Sequence, residues 1–125
     1  MVQSLTYNSY FRKYLLVGQG QLYDPSRGEW VYGFYYSTSS DLLNWSLRTL
    51  LLEIPLPWNH TCGGEDSGAY PVLLNPGSSD RNFGTTSQST YLYWTRLHYD
   101  EFCNISSELD LNRIPIKFVS STTPP

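Results

Sequence analysis

Alanine is nearly absent from this 125-residue chain: Ala69 is the only one, and lysine occurs only as Lys13 and Lys117. Both residue types are strong helix formers. Their scarcity beside eleven tyrosines and abundant Ser and Thr disfavours helix and favours half-buried strands. There is no surplus of positive charge. The formal net charge is −3, which excludes the basic footprint of a nucleic-acid binder, so no nucleic-acid partner is expected. No apolar run of about eighteen residues occurs, so no membrane-crossing helix is expected. The start, MVQSLTYNSY, has neither the basic opening nor the apolar stretch of a signal peptide, so a secreted parent protein would begin upstream of it. Signatures of several chemistries are also missing. His60 and His98 are isolated, no His/Cys/Asp/Glu spacing fits a zinc site, no nucleophile-elbow sequence occurs and no Gly-rich phosphate loop is present. No metal or cofactor is expected.

Cysteine is sparse too. Cys62 and Cys103 permit one disulfide without requiring it. Three Asn-x-Ser/Thr triplets begin at Asn44, Asn59 and Asn104, and the last two fall in expected loops beside a cysteine. That association points to a secreted or extracytoplasmic context. For Asn44 a turn requirement is a sufficient explanation.

What is present reads as one small all-β domain. Hydrophobic residues make up 40% and aromatics 16%, enough for a packed core. Seven strands are expected, at residues 5–10, 13–18, 30–37, 47–54, 69–74, 90–97 and 111–119. Residues 19–29 read as a loop because Asp24-Pro25 and Arg27-Gly28 are turn signals. Residues 55–68 read as a long loop, and the tail 120–125 as frayed. Pro115 inside the last strand suits a sheet edge. The stretch YYSTSSDLLNW, residues 35–45, is a tight turn closing a hairpin. Asp41 is placed to cap it with its carboxylate, with Leu42 and Trp45 folding beneath. Trp30, Trp45 and Trp94 are expected in the core.

The order of segments repeats. LTYNSY, KYLLVG and VYGFYYS answer to AYPVLLNP, TYLYWTRL and IPIKFV. The expected architecture is therefore about two blades of a β-propeller, a four-stranded antiparallel sheet (blade 5–54) followed by an incomplete three-stranded one (blade 69–119). Blades stack because neither buries both faces alone, so open blade faces would favour self-association.

The pieces YNSYFRKYLLVG, YYSTSSDLLNW, AYPVLLNP and YLYWTRL with LNRIPIKF resemble the C-terminal part of a five-bladed β-propeller of the arabinanase, xylosidase and fructosidase-like glycoside-hydrolase superfamily. The resemblance covers most of the chain and bears on the fold more than on the reaction. It implies that the chain is a propeller fragment of a larger domain. It further implies an oligosaccharide or polysaccharide partner and cleavage of glycosidic bonds by carboxylates from several blades. The alternative class is a non-catalytic carbohydrate-binding or protein-interaction module, marked by exposed aromatics without converging carboxylates.

Glycoside hydrolysis needs two carboxyl groups across the scissile bond. Glu65 and Asp66, within CGGEDSGAYP, are the candidates, with Gly63, Gly64 and Gly68 allowing close backbone approach to a ligand. The same stretch also reads as a solvated acidic loop. Asn8, Tyr10 and Arg12 alternate and share a strand face, where Asn8 could hold a sugar hydroxyl and Arg12 a carboxylate. Arg12 and Lys13 equally read as a turn. Tyr70 is a candidate to stack on a sugar or to fill core, and Trp58 to be a sugar platform or a loop anchor. In propeller geometry the loops bearing Cys62 and Cys103 emerge on one face, where they could join; two free thiols are the other outcome.

Overall fold

A computed structural model describes residues 4–119; the expected frayed tail lies outside the described residues. The chain is all-β, with no helix among the described residues, and forms two sheets. β1 (Ser4–Asn8), β2 (Lys13–Asp24), β3 (Glu29–Ser39) and β4 (Thr49–Glu53) run as an antiparallel meander. β5 (Ser67–Leu74), β7 (Ser89–Tyr99) and β8 (Ile105–Lys117) form the second, three-stranded antiparallel sheet. The four-then-three arrangement is thus present. One addition was not anticipated: β6 (Thr85–Thr86) joins the first sheet parallel to β1, giving the order β4-β3-β2-β1-β6. Two residues carry too little pattern to announce a strand.

The expected loop at 19–29 is mostly strand. β2 continues through Gly18 and Gly20 to Asp24, and only the turn Asp24–Glu29 remains. Asp24 shapes that turn, accepting the Ser26 N–H at 2.9 Å and the Ser26 hydroxyl at 2.6 Å. Both hydrogen bonds, the hydroxyl's first, hold its carboxyl below the usual carboxylate range. The last strand also begins earlier than expected, at Ile105, and Pro115 does lie on an edge strand. Asp41 caps the β3–β4 turn as expected. Its Oδ1 accepts the N–H groups of Leu43 and Asn44 at 2.9 and 2.8 Å, and these bonds push its carboxyl far down. Leu42 does not fold beneath it but is exposed, at φ 66°, and Trp45 is only half-buried.

The sheets pack face to face, with β5 lying against β2 and β1. Leu15, Val17 and Phe34 project from the first sheet and Leu73, Leu92 and Trp94 from the second; Leu56 and Phe118 close the sides. Burying a side chain the size of Phe34 stabilises by about 2–3 kcal/mol. Gly68 sits at the crossing point. A Cβ there would lie 2.6 Å from Ile54 Cδ1 and 3.0 Å from Phe34 Cζ, so glycine is what lets the sheets meet. Gly68 therefore serves packing and is not free for a ligand.

Candidate functional site

The inner face of the first sheet is only partly covered. Along β3, Trp30, Tyr32, Phe34 and Tyr36 alternate onto one side, but only Phe34 is fully buried there. Trp30 is 54% exposed, contrary to its expected place in the core. It meets Tyr23 edge-on at 5.6 Å, directly across from it on β2. The second sheet's face continues past Trp94 into Arg96 and His98. Between these ends opens a cleft of two joined pockets, of about 500 and 390 Å³. Trp30, Tyr32 and Asn59 line one part, Trp94, Arg96 and Asn112 the other, and Glu53, Ile54, Pro55 and Glu65 line both.

Most charges at the cleft are already paired. Arg27 reaches Glu53 through two hydrogen bonds of 2.9 Å and Glu29 at 2.5 Å. These raise the Arg27 pKa and lower that of Glu53. Asp66 Oδ2 accepts from Arg96 Nε at 3.0 Å, Arg96 Nη2 at 2.9 Å and His98 Nδ1 at 2.8 Å. His98 Nε2 lies 2.7 Å from Asp110 Oδ2. With a carboxylate at each ring nitrogen, Asp110 foremost, the imidazolium is favoured and the His98 pKa rises. Two groups differ. Glu65 is exposed and makes no ion pair or side-chain hydrogen bond among the described residues. The indole N–H of Trp94 is buried and likewise has no partner among them.

The linker between the sheets is held from several sides. Cys62 and Cys103 form a disulfide with a Cα–Cα distance of 5.5 Å, tying the linker to the β7–β8 turn. His60 stacks on Tyr99 at 3.5 Å, and the Tyr99 hydroxyl lies 2.6 Å from Ser67 Oγ. Trp58, 56% exposed, donates its indole N–H to Gln21 Oε1 at 3.0 Å. Asn59 Oδ1 accepts the Leu56 N–H at 2.6 Å. Glu65 thus projects from a pinned segment, whereas Asp66, its neighbour in sequence, is engaged in the ion cluster.

Asn8, Tyr10 and Arg12 are not brought to this cleft. The β1–β2 turn and the Asp24–Glu29 turn lie at opposite ends of β2, roughly 35 Å apart at the usual rise per residue. Asn8 is fully buried: its amide donates to Thr86 Oγ1 at 3.0 Å and the Ser87 carbonyl at 3.1 Å, and its Oδ1 accepts the Tyr10 and Phe11 N–H groups. This fills its hydrogen-bonding capacity from within the protein. Tyr10 packs half-buried on Phe11, with ring centroids 5.4 Å apart. Arg12 is exposed in the turn at φ 56°. Tyr70 is 63% exposed within the β5 bulge at φ 58°, an unusual conformation for a bulky residue. Trp30, Glu53 and the Trp94 N–H escape sequence reasoning. Alternation places Trp30 and Phe34 on one face but carries no signal for which of them the opposing sheet covers.

No family model matches the chain, and neither a curated protein nor a solved structure matches it.

Proposed function

We propose that the chain is a carbohydrate-binding unit of propeller type, taking a neutral oligosaccharide into the cleft between its two sheets. The observation that carries this reading is the exposed ring of Trp30 in a cleft that also presents the unpaired carboxylate of Glu65. A sugar offers what these groups lack: an apolar ring face for the indole and hydroxyl donors for the carboxylate. Binding is favoured over hydrolysis because Glu29 and Glu53 are both ion-paired with Arg27 and Asp66 with Arg96 and His98, which leaves Glu65 without a second unpaired carboxylate as a working partner. The disulfide is compatible with an extracellular setting.

Titration calorimetry with a panel of neutral oligosaccharides tests the reading. Saturable binding is expected, with Trp30→Ala weakening it at least tenfold, equivalent to about 1.4 kcal/mol, and Glu65→Gln weakening it less. Absence of saturable binding by a chain that retains its near-ultraviolet circular dichroism would remove the proposal. New reducing ends that accumulate with time and disappear in Glu65→Gln would replace it with hydrolysis.

A further inference from the structure

We propose that Asn104 is an acceptor for an N-linked glycan, and that it is preferred over the two other Asn-x-Ser/Thr triplets of this chain. The inference rests on what each asparagine side chain does in the fold and is independent of the cleft's ligand. Asn44 donates its amide Nδ2 to Asp41 Oδ2 at 2.8 Å, within the turn that Asp41 organises. Substitution at that nitrogen crowds the bond that helps close the β3–β4 connection. Asn59 is half-buried, accepts the Leu56 N–H at 2.6 Å and lines the cleft, so a glycan there would lever the linker away from the core and fill the pocket.

Asn104 has none of these obligations. It is exposed at the end of the β7–β8 connection where β8 begins, between Cys103 and the exposed Ile105. Its backbone is fixed: its N–H donates to Asp100 Oδ1 and its carbonyl accepts the Asp100 N–H, both at 2.9 Å. Its side-chain amide makes no hydrogen bond among the described residues. A bulky polar substituent there displaces no protein contact. The neighbouring Cys62–Cys103 disulfide belongs to the oxidising compartments in which such transfer takes place.

The transfer consumes a lipid-diphosphate-linked oligosaccharide. Asn104 Nδ2 attacks the sugar C1, a C1–N bond forms, and the C1–O bond to the diphosphate breaks. The lipid diphosphate leaves with that electron pair, and the amide proton passes to a basic group of the transferase. No oxidant or reductant is needed.

The full chain carrying a secretory leader would be expressed in eukaryotic cells, and material from cells and medium pooled. Enzymatic deglycosylation in heavy-oxygen water marks each former glycan site as a heavy aspartate, read by peptide mass spectrometry. The mark is expected at Asn104, at several-fold higher occupancy than at Asn44 or Asn59. Asn104→Gln and Ser106→Ala should each abolish it, the latter while leaving the asparagine in place. An unmarked Asn104 in the pooled material, or higher occupancy at Asn44 or Asn59, would overturn the proposal.

Discussion

The two sheets solve the same packing problem by different means. In the first, β2 and β3 pair without interruption from Tyr14 opposite Ser39 to Asp24 opposite Glu29, and β4 and the β1–β6 pair flank them. In the second, three strands carry register shifts at Ala69/Val72 and at Leu97/Tyr99, and the outer strand β8 leaves Leu109 and Leu111 exposed. The larger sheet has one register shift of its own, at Phe34/Tyr35 between β3 and β4, whereas the smaller one adds a disulfide, a stacked His60–Tyr99 pair and an ion cluster around His98. The narrower sheet, with open edges, is tied through its loops. Those same ties hold the Glu65 segment at the cleft.

The largest effect is expected at the shared core. Phe34→Ala should cost about 3–5 kcal/mol in denaturant unfolding and should lower protection from hydrogen exchange in both sheets together. Leu111→Ala, at a position 73% exposed on β8, should stay within about 0.5 kcal/mol. Loss confined to one sheet in Phe34→Ala would show that the sheets do not share one core. The smaller sheet's dependence on its ties is next. Replacing Cys62 and Cys103 by serine together should cost about 3–4 kcal/mol, the loop-closure value for cysteines 41 residues apart. Exchange at amides of the linker and the β7–β8 turn should accelerate before that of β2 and β3.

Asn8→Ala should cost about 1–3 kcal/mol, since it strands the Tyr10 and Phe11 N–H groups that now donate to the Asn8 carbonyl. Its effect should fall on the first sheet and leave oligosaccharide affinity unchanged, which calorimetry can check. The smallest effect is pH-dependent. His98 has a raised folded-state pKa, so its contribution is complete below the unfolded value of 6.5 and fades as pH climbs through the higher folded value. The groups facing it are Asp66, Asp110 and, through Asp66, Arg96. The stability advantage of the wild-type chain over His98→Ala should therefore be larger at about pH 5.5 than at about pH 8.5. Equal differences at both values would mean that the imidazolium is not what holds the linker.

Legibility followed range along the chain. The cap of the Asp41 turn could be read because the hydrogen bonds of the Asp41 carboxylate span three residues or fewer. The edge position of Pro115 was legible because proline cannot donate to a central ladder. The extension of β2 was not. Gly18 and Gly20 look like punctuation locally, yet Gly20 lies opposite Gly33 in an unbroken ladder whose stability comes from the partner strand. Trp30 misled for a related reason. Its spacing from Phe34 matches a buried face, but at Trp30 that face lines an open cleft instead of packed side chains. Within the acidic pair, the exposure of Glu65 and the engagement of Asp66 depend on Arg96 and His98, some thirty residues away.

By itself the sequence determined the all-β class, the succession of a four-strand and a three-strand meander, and the local turns. These follow from alternation, from propensity and from side chains that bond to their near neighbours. Only the tertiary structure decided that Asn8 is sealed inside with its hydrogen bonds filled, that Trp30 and Glu65 meet at an open cleft, and that His98 lies between two carboxylates. Each of those outcomes depends on residues far apart in the chain, such as Thr86 for Asn8 and Asp66 for His98, and no period of two along a strand encodes those meetings.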